Sequence, residues 1–238
     1  MCTLLFIPEK NNCFFASLRD ENPQRAVAKL PTLIEENGTR YIAPIDPSGS
    51  GTWLGVNHYG NVVVLLNGGF VKHQRQAVYA KSRGLIVTEM LRAKAPMEVW
   101  ARLCLEGVEP FTVVTWNGAH LLQLTWDGST KHRISLDHKK SHIWSSATLY
   151  TPTAQATRKQ LFDTWIANKP HITPQTVLDF FGENEDKQDG FLMNRQEIVK
   201  TLSYTFIQIT DLRRANLQYY DWQNNAETPF SIELSLNR

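Results

Sequence analysis

Apolar residues fall along this chain in short runs rather than in long helical stripes. Thr3-Leu4-Leu5-Phe6-Ile7 and Cys13-Phe14-Phe15-Ala16-Ser17 are two such runs, and the polar Glu9-Lys10-Asn11-Asn12 between them favours a tight turn. The pattern predicts an N-terminal β-hairpin whose second strand ends at Arg19-Asp20. Pro23 to Gly49 is turn-rich, with Pro31, Pro44 and Pro47, and offers only Tyr41-Ile42-Ala43 as a short strand. Thr52–Asn57 and Asn61–Asn67 predict a second hairpin; Val62–Leu66 is apolar throughout, as expected of a strand buried on both faces. Phe111–Trp116 and Ala119–Trp126 flank Asn117-Gly118, a pair that favours a type I′ hairpin turn. Lys131–Leu136, Ile143–Ser146, Ser203–Thr210, Leu217–Trp222 and Phe230–Leu236 complete the expected strands.

Helical spacing appears in two places. Ser82 is placed to cap a helix over Arg83–Arg92, and Pro96 to open a second, Met97–Leu105, that Gly107 stops. Thr151-Pro152 and Thr173-Pro174 open two more, with Leu161, Phe162 and Trp165 on one and Val177, Leu178 and Phe181 on the other, which Gly182 closes. Strands therefore come in hairpins and helices in separate pairs. That order predicts an α+β fold of mostly antiparallel sheets covered by helices, in one domain over 1–238.

Composition narrows the function classes. With 25 Lys+Arg against 23 Asp+Glu, the net charge of +2 gives no argument for nucleic acid or an anionic membrane. No apolar stretch approaches the ~20 residues of a membrane helix. Leu4–Ile7 is too short for a signal-peptide core. Three cysteines, Cys2, Cys13 and Cys104, cannot all pair, which suits a reducing compartment; the expectation is a cytoplasmic protein. Cys13 and Cys104 lie in apolar contexts and are expected to be buried.

Candidate chemistry concentrates at the start. Cys2 becomes the N-terminus when Met1 is removed, and its side chain is small enough to permit removal. A free thiol has a pKa near ~8.5 and an α-amino group about 7.7–8.0, so the amine on the same residue can take the thiol proton through one water. The blander reading is a small apolar residue starting a buried strand. Arg19 is placed to stabilise a thiolate and Asp20 to orient the amine, although charges at a strand end are more often a solvated turn. Asn67 ends a buried strand, where it is either a turn residue or a donor to an oxyanion. His132, His138 and His142 fit no standard zinc spacing and read as a polar loop. Glu183–Gly190 has the outline of a calcium loop, but Lys187 falls where a ligand is needed and Gln196 replaces the closing Glu. No metal and no cofactor is expected.

Met1-Cys2, Leu18-Arg19-Asp20-Glu21, Gly51-Thr52-Trp53-Leu54-Gly55-Val56, Leu66-Asn67 and Ser82-Arg83-Gly84-Leu85-Ile86-Val87 occur in that order. In these blocks the chain resembles the NRDE family, the transport and Golgi organisation proteins. Weaker likeness continues at Ser145–Pro152 and Thr205-Phe206-Ile207. The family is similar to the N-terminal-nucleophile hydrolases, which include bile salt hydrolases and penicillin V acylases. The resemblance implies a four-layer αββα sandwich and a small-molecule amide or acyl ligand. By motif match it places Cys2 as nucleophile on a linear amide, Arg19 and Asp20 as its supports and Asn67 at the oxyanion. Links of relatives to lipid and haem handling imply an alternative, in which the same pocket binds or carries a hydrophobic acyl, lipid or haem-like ligand without turnover. The chain departs from the family pattern at Leu18, Ser146 and Leu202, where Asn, Asn and Arg are usual.

Overall fold

The structure is a computed structural model and describes residues 3–168, 170–224 and 229–236. Its elements are, in chain order, β1 (Thr3–Glu9), β2 (Asn12–Glu21), β3 (Lys29–Glu36), β4 (Thr39–Ile45), β5 (Leu54–Asn57), β6 (Val62–Asn67), α1 (Arg83–Leu91), α2 (Pro96–Arg102), β7 (Phe111–Trp116), β8 (Leu121–Trp126), β9 (Lys131–Leu136), β10 (His142–Ser145), α3 (Pro152–Ala167), α4 (Pro174–Gly182), β11 (Asn194–Arg195), β12 (Val199–Thr210), β13 (Arg214–Asp221) and β14 (Phe230–Ser235).

Two antiparallel sheets face each other. One runs β10-β1-β2-β12-β13-β14, with β11 on β12; the other runs β3-β4-β5-β6-β7-β8-β9. Strand alternation sorts β2 onto two cores. Cys13 and Phe15 join Leu4, Phe6 and the apolar run of β6 between the sheets. Phe14, Ala16 and Leu18 point the other way, onto Phe162, Val177, Phe180 and Phe181 of α3 and α4. The buried side of α1, with Ile86, Val87, Met90 and Leu91, covers the second sheet. The layers are therefore helix, sheet, sheet, helix, and the α+β sandwich expected from the resemblance is present.

Three local expectations differ from the structure. β3 lies where only turns were expected: it is an edge strand with Leu30 and Leu33 exposed, and its pairing slips beside Pro31, which has no N–H for the ladder. Its link to β4 is Asn37-Gly38, with φ of 51° and 73°, the positive pair that a type I′ turn requires. Asn117-Gly118 instead belongs to a wider loop, because the Asn117 side chain accepts from the amides of Ala119 and His120 and only Gly118 has positive φ. Cys13 is buried as expected, but Cys104 is exposed, because α2 ends at Arg102 and releases the chain before it.

Candidate active site

β2 does not end before the charged cluster. It continues to Glu21 because β12 pairs with it that far, and Arg19 and Asp20 are consecutive strand residues opposite Ser203 and Thr201. They therefore face opposite sides of the sheet. The register shifts between Thr201 and Ser203, with Leu202 in the bulge.

Arg19 faces the space between the sheets. It is 4% exposed, its guanidinium carbon sits 4.6 Å from the centre of the Trp53 ring, and it makes no hydrogen bond or ion pair among the described residues. Beyond it opens a cavity of about 490 Å³ that Arg19, Trp53 and Asn67 all line. Asn67 closes β6, and its side-chain amide has no partner among the described residues. Its backbone carbonyl is held by the Ser146 hydroxyl at 2.8 Å, which ties the end of β10 in one sheet to the end of β6 in the other. The same hydroxyl lies 2.9 Å from that of Thr148.

Asp20 lines a different environment. One carboxylate oxygen accepts from Thr201 at 2.6 Å and the other from the Tyr150 hydroxyl at 3.2 Å, on the side of the sheet that faces α3. Cys2 lies outside the described residues. Of the four residues singled out in the sequence, the structure thus brings Arg19 and Asn67 to one cavity and sets Asp20 on the reverse face of the strand.

Two glycines seat α1 on the second sheet, and Gly51 also lines the cavity. A side chain at Gly51 would come within 2.3 Å of the Gly84 backbone, so only glycine lets the start of α1 lie against Thr52, whose amide reaches the Gly84 carbonyl at 3.3 Å. A side chain at Gly55 would meet Leu91 and the Ile42 carbonyl at 2.7 Å. The Gly-Thr-Trp-Leu-Gly block is thus a helix-docking surface that also presents Trp53 to Arg19.

Electrostatics follow burial. Desolvation pulls the Arg83 guanidinium below the ordinary arginine value, with Glu109 opposing and Arg75 reinforcing that shift. Tyr219, behind Ser203, is pushed up to about 12 by burial, while the nearby Arg19 charge pulls it back. At the rim Arg25 grips Asp46 with two bonds, of 2.6 and 3.2 Å.

Sequence reasoning passed over Arg158, which is 1% exposed inside α3. Its guanidinium donates to Ser145 at 2.9 Å, to the Asp189 carbonyl at 3.1 Å, to the Gly190 carbonyl and to the Thr3 hydroxyl. It also stacks on Tyr150 and Phe191. The loop with the calcium-like outline is therefore wound around an arginine. Spacing carried the signal: Ala154, Arg158 and Phe162 recur every four residues and are the buried stripe of the helix.

The model of the Transport and Golgi organisation 2 (TANGO2) family matches residues 1–226. The chain belongs to the TANGO2 family. Among curated protein sequences none matches it. Solved structures of N-terminal-nucleophile hydrolases share the TANGO2 fold seen here. The Caenorhabditis elegans ortholog of N-acylethanolamine-hydrolyzing acid amidase aligns with a TM-score of 0.59 at 10% identity, over 87% of this chain and 92% of its own. A mutant of conjugated bile acid hydrolase from Clostridium perfringens aligns with a TM-score of 0.61 at 10% identity, over 100% of this chain and 97% of its own. At such identity the likeness is one of fold. Among the described residues of this TANGO2 protein no helix is long and apolar enough to cross a membrane, and no group of His, Cys, Asp and Glu side chains is arranged to hold a metal ion.

Proposed function

We propose that this protein is an amidohydrolase that cleaves a linear, non-peptide amide of a small acylated substrate, with Cys2 as nucleophile after loss of Met1. The observation that carries the reading is the meeting of Arg19 and Asn67, from different sheets, in one cavity at the N-terminal end of β1. Thr3 is flanked in register by Leu18 and Ser145. The next residues on those flanking strands are Arg19 and Ser146, and Ser146 holds Asn67. Cys2 is the residue that precedes Thr3 in the chain.

In this reading the α-amino group accepts the thiol proton through a water, and Arg19 stabilises the thiolate. Asp20 acts from the other face of the strand to orient the amine. The thiolate attacks the amide carbon, and the Asn67 side-chain amide, which has no other partner among the described residues, donates to the oxyanion. The C–N bond breaks, the departing amine takes the proton held by the α-amino group, and water then hydrolyses the thioester. A small acyl amide in the cytoplasm is the substrate setting that fits three cysteines, which cannot all pair.

Intact mass of the purified protein followed by iodoacetamide labelling tests this. Met1 should be absent, and Cys2 should alkylate at least tenfold faster than the exposed Cys104, with a rate that follows titration of the α-amino group. Retained Met1, or Cys2 no faster than Cys104, overturns it.

A second reading, carriage without turnover, draws on a chamber of about 350 Å³ on the other side of Asn67, where Leu66, Phe70, Ile143 and Trp144 stand beside Gln123, Gln155 and Lys159. Its wall offers an acyl, lipid or haem-like ligand apolar contact together with polar groups for a headgroup or carboxylate. A ligand that raises the melting temperature yet is recovered uncleaved selects this reading over hydrolysis.

A further inference from the structure

Tyr150 stands at the end of a short turn that bonds to both sheets. The turn leaves β10 at Ser146 and enters α3 at Thr151. The Tyr150 amide donates to the Ser146 carbonyl at 3.2 Å, and the Gln155 side chain donates to the Tyr150 carbonyl at 3.1 Å, so the turn is closed on itself and against the helix. At its start, the Ser146 hydroxyl holds the Asn67 carbonyl of the second sheet. At its end, the buried Tyr150 donates its hydroxyl to Asp20 of the first.

Two guanidinium groups approach the same ring. The carbon of Arg158, from α3, lies 4.1 Å from its centre and that of Arg195, from β11, lies 5.6 Å away. Arg195 is fixed by the Leu149 carbonyl and by the Asp189 carboxylate, both at 3.0 Å. Arg158 also donates to the Thr3 hydroxyl. A cation over a phenol ring attracts its π density, and the O–H becomes the stronger donor. The carboxylate that receives it is 2% exposed, and a bond to a charged group gains strength away from water. Thr201 donates to the other Asp20 oxygen. One connected group of side chains thus holds Thr3, the residue after Cys2, together with the carboxylate that the proposed hydrolysis gives to the Cys2 amine. Packing alone accounts for a buried tyrosine with a bonded hydroxyl, but it predicts no effect of that hydroxyl on the amine.

We propose that Tyr150 is a positioning residue for the Cys2 amine: with Arg158 and Arg195 on its ring, it donates to Asp20 and so sets how strongly that carboxylate holds the α-ammonium group. The proposal rests on the amidohydrolase reading, in which Asp20 orients the amine, and adds the residue that tunes it. Sharing the Asp20 charge with a phenol leaves less of it for the ammonium group. The amine therefore gives up its proton at a lower pH and is available as a base near neutrality.

Two rates measured at Cys2 across pH test it: acetylation of the α-amine by acetic anhydride, and alkylation of the thiol by iodoacetamide with Cys104 as reference. Tyr150→Phe keeps the ring between its neighbours and removes only the hydroxyl. It should move the midpoint of the amine profile up by about half a pH unit, and the thiol profile with it. Alkylation at pH 7 then slows about threefold, while the plateau at high pH and the Cys104 rate stay unchanged. A variant that merely loosened the fold would lower the plateau and leave the midpoint in place. Arg195→Gln, at a partly exposed position, takes one cation from the ring and should move the midpoint the same way by a smaller step. It carries the test if Tyr150→Phe fails to fold. An amine midpoint that stays put or falls overturns the role of Tyr150; a wild-type Cys2 that is still fast and follows its amine then leaves the amidohydrolase reading standing. A wild-type Cys2 no faster than Cys104, with an amine midpoint that rises in Tyr150→Phe, keeps the role of Tyr150 and overturns the hydrolysis.

Discussion

Arg158 and Arg19 are both arginines closed off from solvent, at 1% and 4% exposure, and both lie on aromatic rings. They differ in what the rest of the guanidinium meets. Arg158 donates to two hydroxyls and two carbonyls drawn from β1, β10 and the loop before β11. Arg19 meets the Trp53 face and then open cavity. A buried cation with a full set of bonds holds chain segments together; one without them, as Arg19 is among the described residues, is the group that the proposed hydrolysis gives to the thiolate. The contrast separates a fully bonded guanidinium from one that faces open space without reference to any relative.

Breaking the comparison starts with stability. Arg158→Met strips donors from the Thr3 and Ser145 hydroxyls and the carbonyls of residues 189 and 190, and should cost about 3–4 kcal/mol in urea unfolding. Arg19→Met removes a cation–π contact worth about 0.5–2 kcal/mol while burying an apolar chain, and should cost no more than ~1 kcal/mol. Equal losses would erase the distinction drawn above.

Tyr219 provides a finer gauge. Its folded pKa of about 12 stands above the ~10 of an unfolded tyrosine. The folded state therefore holds its proton longer, and the stability this confers is fully present below pH ~10 and lost as pH rises toward 12, by about 2–3 kcal/mol. Tyr219→Phe should flatten that part of the alkaline unfolding curve, though not all of it, since Tyr204 is also pushed well up by burial. Arg19→Met should move the Tyr219 titration higher still, because the Arg19 charge opposes the shift; near-ultraviolet absorbance reads it. A titration that stays put would mean Arg19 does not face Tyr219. The smallest effect belongs to Ser146→Ala, which should cost about 1 kcal/mol for the lost bond to the Asn67 carbonyl.

Strongly periodic or chemically punctuated segments were legible in the sequence. Pro96, Pro152 and Pro174 opened helices where expected, and the apolar β6 is buried along Val62–Leu66. β3 was missed because an edge strand keeps only one face covered and tolerates Pro31, so its alternation is weak. The Asn-Gly rule held at residues 37–38 and not at 117–118, where the Asn117 side chain caps the loop instead. For the site, the sequence singled out Arg19 and Asn67 as candidates, and they line one cavity. That Arg19 and Asp20 would part to opposite faces depended on β2 continuing through them, which depends on β12, a strand from the far end of the chain. Arg158 was hidden because a charged residue on a helix is ordinarily solvated. Ser146 looked like a departure from the family pattern, yet its hydroxyl is one of the ties between the two sheets, beside the Trp144–Gln123 bond.

The order of strands also sets a schedule for folding. β3 to β9 are consecutive, and apart from β6 and β7, which α1 and α2 separate, neighbours in the second sheet join through short connections with little loop entropy to overcome. β2 is different: one neighbour is the adjoining β1, and the other, β12, is made some 180 residues later on the ribosome, as in the pairing of Asp20 with Thr201. Long-range pairing of that kind is the slow part of folding. Arg19 gains its β12 neighbours only once the C-terminal half has emerged, so a nascent chain carries a finished second sheet before it carries a finished pocket.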